Sequence, residues 1–437
     1  MRLLGLIAVN YFSLGSKEAA HMTPNQNEST RLTGELAPLL SMTALERLRR
    51  MAREAGGPQD SLDRDDLGLL TDVGLLDEQG MAREALLLVG SEEGLRQYFP
   101  NYRWTYQFHW VEPRKADHFE SADALPLALQ HLSNSIQSGA SAFTMQTSAG
   151  AFEYRPYPAG ALREVLLNAF CHADYTQETP IQVSQEADRV EICNPGSLPD
   201  GISPNNLLRR RSALSNPLLA EALARLGLSR RTESGMQCIF RELLSNGSQP
   251  PAFDFQNEQV KVTIAGGATS ARFRCFVEQE AQDGRSLSLE HLLALHAVLH
   301  QPEIDLAAAA LVCQLDEPKA LDILEELESE ERGYIQRIRN GQEITWALRP
   351  AMYTRLSDPR WLQRQRFRHW EILKKRVVDV IKQRSVDGGQ GISNAEIRQL
   401  TLLRANHVRA FVKELTSENP QIELVYRGRL STYRWRE

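Results

Sequence analysis

The sequence predicts an α+β protein: a mixed sheet with helices on one face, then two smaller units that repeat one order of helices and strands. Three observations carry this. From Tyr102 to Trp110, the aromatic side chains Tyr102, Trp104, Tyr106, Phe108 and Trp110 alternate with Arg103, Thr105, Gln107 and His109, the period of two of a strand with one packed face. From Pro158 to Ala173 the spacing turns helical, with Leu162, Val165, Leu166, Ala169 and Phe170 along one side. After Gln282–Gly284 the pattern becomes three helices and two strands, and then repeats.

Length sets the domain count. A chain of 437 residues outgrows a single core and suggests about three domains. We divide it into a segment 1–40, a region 41–280, and two units at 285–357 and 360–437. Five cysteines stand apart with no C-x-x-C pair, which indicates neither a disulfide framework nor a zinc site and points to a reducing, cytoplasmic setting. The apolar run Met1–Val9 is too short to span a bilayer, and no other run approaches twenty apolar residues, so no membrane partner is expected. Net charge is −6, but residues 360–437 hold 17 Lys+Arg against 8 Asp+Glu, leaving 33 against 48 elsewhere. An anionic partner is therefore expected for the C-terminal end alone.

Each element follows from local pattern. Residues 10–36 are polar loop; Thr43–Glu54 has helical spacing, and Asp63–Leu70 and Thr71–Leu76 suggest two short helices. Ala85–Val89 is a compact apolar run that fits a strand. A helix is expected at Ala122–Ser135 and a strand at Phe143–Tyr154. Strands at Ile181–Gln185 and Arg189–Asn194 flank the turn Glu186-Ala187-Asp188, and helices run Pro217–Leu226, stopped by Gly227, and Gly235–Leu244. Val260–Ile264 and Ala271–Glu278 read as paired strands joined through Gly266-Gly267.

Chemistry concentrates between Glu164 and Gly235. Glu164, Asn168 and His172 recur every four residues and share one helical stripe. A carboxylate can hold or activate water, and an amide oxygen can complete the oxygen shell of a Mg²⁺ that carries phosphates. His172 has no His or Cys partner at ligand spacing and reads as a helix-anchoring residue. There follow Asp174-Tyr175, a strand ending Glu191-Ile192-Cys193-Asn194-Pro195-Gly196-Ser197-Leu198-Pro199, then Asn216-Pro217-Leu218-Leu219-Ala220, then Gly235.

This block resembles the GHKL-type ATP-binding module of the RecG-like, or Schlafen AlbA-type, transcriptional regulators. The likeness runs over about residues 85–245. It implies an α/β sandwich that binds ATP with Mg²⁺. Glu164 resembles the residue that activates the attacking water, Asn168 the Mg²⁺ ligand, and Gly196 the glycine that lets backbone approach adenine. Asn194 stands where many GHKL proteins have an Asp for the adenine amino group, and Asn216 and Gly235 fall in the later motifs. The span Ser203–Ser215, with Arg209, Arg210 and Arg211, is similar to the lid over the phosphates. Glu233 replaces a glycine of the Gly-Thr-Gly turn, which weighs against turnover more than against binding. An AlbA-type domain normally precedes the module, and residues 1–40 are expected to be its remnant or a disordered segment. No G-x-x-x-x-G-K-[ST] occurs, so a helicase motor is not expected.

Both C-terminal units read as winged helices. The first places Glu317, Asp322, Glu325, Glu326, Glu328 and Glu330 on its third helix, where phosphate would be repelled; packing or dimerisation suits it. In the second, Asn406, Arg409 and Lys413 share one side of the third helix, with Arg404 leading in, while Val408, Phe411, Val412 and Leu415 serve the core. Arg427 and Arg429 mark its wing. The expected partner is double-stranded DNA, and a homodimer would form through the GHKL module or the first winged helix. The leading expectation is an ATP-binding transcriptional regulator in which nucleotide state modulates DNA binding. The alternatives are a weak Mg²⁺-dependent ATPase of a defence or repair assembly, and a non-catalytic scaffold.

Overall fold

In the N-terminal region, Leu45, Leu48 and Ala52 recur at helical spacing and are buried along α1 (Met42–Glu54), whose start is capped by Ser41 Oγ accepting from the Ala44 N–H at 3.3 Å. The computed structural model describes residues 31–109, 117–140, 142–147, 150–197, 202–203, 205–209, 214–229, 235–266, 270–301, 303–340, 343–356, 359–386, 391–401, 403, 405–427 and 430–436. The run Met1–Val9, the residue Trp110 and the Thr232–Ser234 turn lie outside them. The chain divides at Leu292/Leu293 into two compact units.

In the first unit, strands β1 (Arg31–Leu32), β2 (Leu76–Asp77) and β3 (Gly80–Ala82) form a small sheet beside α1, α2 (Gln59–Leu62) and α3 (Asp66–Asp72). The two helices expected at Asp63–Leu76 are displaced. Asp65 accepts from the Gly68 N–H at 2.9 Å and starts α3 afresh, and Gly74 at φ +81° ends the helical stretch, so that Leu76 enters a strand.

The expected strand at Ala85–Val89 is helix α4 (Glu84–Val89), followed by α5 (Glu92–Tyr98). Each of the five residues Ala85 to Val89 is at most 1% exposed. A segment buried on every side has no polar face, so no period separates strand from helix.

The main sheet is six-stranded and mixed. Strands β4 (Trp104–Phe108), β5 (Asp117–Ser121), β8 (Ile181–Gln185), β9 (Arg189–Pro195), β10 (Ala252–Gln256) and β11 (Gln259–Ala265) lie in the order β10-β11-β9-β8-β4-β5, and only β4–β8 is parallel. The region Phe143–Tyr154, expected as one strand, is a separate hairpin of β6 (Phe143–Thr147) and β7 (Gly150–Tyr154). One face of the main sheet is apolar: Trp104 sits beside Ile181, Tyr106 beside Val183, and Val183 opposite Ile192, all buried. Helices α6 (Leu125–Gly139) and α7 (Ala159–His172) pack on this face. The other face carries Gln182, Ser184, Glu191 and Lys261 and stays partly open. Alternation along each strand thus builds an α+β layer with its helices on one side.

Helices α8 (Pro217–Arg225) and α9 (Gly235–Ser245) complete this layer. Ala271–Glu278, expected as a strand, belongs to α10 (Ala271–Gln282). Ser270 Oγ caps it through the Phe273 N–H at 3.2 Å, and Phe273 and Phe276 are buried one helical turn apart. Strand β11 pairs instead with β9 and β10.

Helix α11 (Leu289–His300) leads on to two segments with one order of elements. The first has β12 (Ile304–Asp305), α12 (Leu306–Cys313), α13 (Glu317–Glu328), β13 (Ile335–Asn340) and β14 (Glu343–Leu348), in sheet order β12-β14-β13. After α14 (Pro350–Leu356) and the long α15 (Pro359–Val386) come β15 (Ile392–Ser393), α16 (Asn394–Thr401), α17 (Ala405–Glu418), β16 (Ile422–Arg427) and β17 (Leu430–Trp435), in sheet order β15-β17-β16. The second core joins Val377, Ile381, Ile392, Ile397, Phe411 and Leu415. Ser393 and Glu396 form a capping box, with bonds of 2.8 and 3.3 Å between each side chain and the other's backbone N–H.

Candidate functional site

The site is built on α7. Glu242 of α9 anchors the start of this helix: its Oε2 accepts from the Ala161 N–H at 2.8 Å, supplying negative charge where amide groups lack partners. Gly160 makes room for that carboxylate, because a Cβ there would clash with the Glu242 side chain. Neither residue belongs to the sequence motif; a glycine one turn ahead of Glu164 was the only local hint.

Glu164 is 2% exposed, and Asn168 and His172 are partly buried on the same stripe. The first residue of α9 closes on them. A Cβ added to Gly235 would lie 2.9 Å from Glu164 Oε2 and 3.5 Å from Asn168 Oδ1. A glycine lets the backbone come that near without displacing the Glu164 carboxylate. The buried carboxylate therefore faces the N-terminus of α9, whose amide groups and dipole favour negative charge. Burial, followed by the charge of Glu164, pushes the Cys171 thiol up to about 12, so Cys171 is no nucleophile at neutral pH. Burial lowers the pKa of His172, which keeps the ring neutral.

The far end of α7 is closed by motif residues. Asn216 Nδ2 donates to the carbonyls of Cys171 at 3.2 Å and Ala173 at 2.9 Å, and Ser215 Oγ donates to the His172 carbonyl at 3.0 Å. Asn216 thus satisfies the last helical carbonyls. Asp174 Oδ1 accepts from the N–H and hydroxyl of Thr176, and the Tyr175 hydroxyl donates to the Phe170 carbonyl at 2.7 Å. The D-Y pair is a turn-and-helix brace. Gly196 has φ +121°, and a Cβ there would approach the His172 carbonyl to 3.1 Å. Asn194 is 4% exposed on the helix-covered side of β9 and donates through Nδ2 to the Pro195 carbonyl at 3.1 Å.

The described part of Ser203–Ser215 is anchored. Leu207 and Leu208 are buried, the Leu208 carbonyl accepts from Gln237 Nε2 at 3.0 Å, and the Arg209 N–H donates to the Asn206 carbonyl at 3.0 Å. Arg209 Nη2 lies 2.7 Å from Glu290 Oε1. Arg210, Arg211 and Glu233 lie outside the described residues.

In the second unit, Arg409 and Lys413 of α17 are exposed, while Val408, Phe411, Val412 and Leu415 are buried. The two cations line an open groove of about 370 Å³ with Asn394, Thr416 and Leu424. Arg404, Arg429 and the side chains of Asn406 and Arg427 lie outside the described residues. Among the described residues, no helix is long and apolar enough to cross a membrane.

Residues 178–264 match the family model described as "Putative ATP-dependent DNA helicase recG C-terminal". The match takes in Asn194, Gly196, Arg209, Asn216 and Gly235 and leaves out α7, and it supports a RecG-like nucleotide-binding region. The fold is similar to that of the DIP2311 protein from Corynebacterium diphtheriae, with a TM-score of 0.64 and 19% identity, over 93% of this chain and 69% of the other. No curated protein matches the chain.

Proposed function

We propose that the chain binds ATP with Mg²⁺ at the meeting of α7 and the start of α9, and that its second unit contacts double-stranded DNA through winged helices. The observation that carries the first part is the approach of Gly235 to Glu164 and Asn168, beside a stretch matched to an ATPase-type family. A helix N-terminus is suited to phosphate. Glu164 Oε2 and Asn168 Oδ1 are oxygen donors of the kind a hard divalent cation takes. Asn168 would hold Mg²⁺, which when bound supplies positive charge against the phosphates. Glu164, buried and beside it, would orient a water. Gly196 lets the backbone turn close to the end of α7, where a nucleobase would lie next to Asn194.

ATP with Mg²⁺ titrated into the full chain should raise the melting temperature, with stabilisation of about 2.7 kcal/mol when ligand reaches a hundredfold excess over Kd. No shift would end the nucleotide reading. Asn168→Ala should weaken the Mg²⁺-dependent part of binding, and Glu164→Gln should abolish any phosphate release while sparing binding.

The DNA reading rests on the repeated element order and on Arg409 and Lys413, exposed on the face of α17 opposite its buried residues. A helix so divided can enter the major groove. Arg404, Asn406, Arg427 and Arg429 would extend that surface. Nucleotide state would bear on DNA binding only through different contacts in the two states.

A further inference from the structure

The Arg209–Glu290 pair bears on the regulation of the nucleotide site, a role that rests on the reading that this site takes ATP. Arg209 comes directly after Leu208, whose carbonyl is bonded to Gln237 in the first turn of α9 at 3.0 Å. At Gly235, two residues before Gln237, an added Cβ would lie 2.9 Å from Glu164 Oε2 and 3.5 Å from Asn168 Oδ1. With Leu207 and Leu208 buried, the backbone at Arg209 is fixed while its long side chain can pivot. That side chain now reaches Glu290, in the first turn of α11, at 2.7 Å, and the two are 30% and 21% exposed.

Glu290 keeps other bonds when the pair parts. Burial raises the Glu290 pKa, but bonds from Arg209, from its own backbone and from Ser288 outweigh this and hold the carboxyl below its usual range. Two of those bonds, and the dipole of α11, remain when Arg209 leaves. A triphosphate offers Arg209 more charge and bidentate oxygens.

We infer that Glu290 is an internal competitor of the nucleotide: it holds Arg209 in the empty state and yields it to the phosphates when ATP binds. Nucleotide binding is thereby coupled to the first turn of α11, the helix in which the chain passes from one compact unit to the next.

Calorimetric titration of a non-hydrolysable ATP analogue with Mg²⁺ into five full-length proteins tests this. Glu290→Gln should bind roughly threefold to tenfold tighter than the parent. Glu290→Asp, which keeps the charge at the helix start but retracts it from Arg209, should move the same way and guards against a folding defect in the first variant. Arg209→Ala should bind more weakly, and adding Glu290→Gln to it should change nothing further. Equal affinity of parent, Glu290→Gln and Glu290→Asp overturns the competition and leaves the nucleotide reading intact. A gain from Glu290→Gln that persists without Arg209 also overturns it. Absence of binding in all five proteins ends both readings.

Discussion

The segments 289–348 and 359–435 repeat one order of helices and strands and one order of strands in the sheet, and each ties carboxylates of its third helix to a cation, yet the two third helices leave opposite charges exposed. In the first, carboxylates of α13 tie the helix to the hairpin: Arg337 donates to Glu328 Oε2 and Glu325 Oε1, each at 3.0 Å, and lies over the Trp346 ring. Glu317, Asp322 and Glu326 of the same helix are exposed. In the second, the carboxylates of α17 are the groups held in place. Lys374, its side chain 4% exposed, is bonded to Glu414 at 3.0 Å and Glu418 at 2.7 Å, and Trp370 Nε1 donates to Glu414 at 2.9 Å. Arg409 and Lys413 enter no ion pair among the described residues and face outward. One scaffold can therefore present an acidic or a basic third helix. What decides its fitness for a polyanion is which sign is left exposed.

Breaking the internal ties tests this contrast most strongly. Lys374→Met leaves three carboxylates, Glu371, Glu414 and Glu418, around an apolar side chain. Removing one partner of a buried pair is severe, and the half-exposed carboxylates moderate it, so unfolding should become easier by about 2–3 kcal/mol, read from urea melts. If the second unit binds DNA as proposed, joint replacement Arg409→Ala with Lys413→Ala should cost that binding about 1–2 kcal/mol and reduce its salt slope by about two, with the melting temperature unchanged. Retained affinity would erase the distinction between the segments.

The mirror experiment is Arg337→Ala, for which stability should fall by about 1 kcal/mol while DNA affinity stays constant. Acid should separate the segments more gently. His296 and His300 stack at 3.9 Å in α11, and burial lowers both pKa values, more strongly for His296. The unfolded chain then binds protons first, so the stability they confer is full above pH 6.5 and is lost as pH falls below it. In the second segment Glu414 is lowered by bonds from Lys374 and Trp370, and Glu396 by Arg384 and the Ser393 backbone. Their contribution is present above pH 4.5 and disappears only as pH falls through the lowered values. Hydrogen exchange between pH 7 and 5 should show residues 293–348 loosening before residues 391–435; the reverse order would contradict this assignment.

Much of the fold could be read locally. The alternation from Tyr102, the helical face of α7 and the Ser393–Glu396 box depend on near neighbours in sequence. The core side of α17 shows the same dependence, because one half-buried helix needs only its own period to declare which face packs. Where burial surrounds an element, as in Ala85–Val89, the pattern carries no face and the strand expectation failed. Ala271–Glu278 misled in another way: Arg272, Phe273, Arg274 and Cys275 alternate polar and apolar, which imitates a short strand. At the candidate site, the stripe of Glu164, Asn168 and His172 was legible from spacing, and the nearness of Gly235 was suggested by its motif. Glu242 under the start of α7 and Glu290 beside Arg209 were not, since each acts across 81 residues of chain.

By itself, then, the sequence determined the period of each half-buried element, the polar stripe on α7 and the basic bias of the C-terminal end, because these are properties of neighbouring residues. Tertiary structure alone decided which charges are spent inside the molecule and which are left to meet a ligand. Pairing of Arg209 with Glu290, or of Lys374 with Glu414, depends on distance in space, and electrostatic energy follows that distance and the surrounding burial rather than separation along the chain.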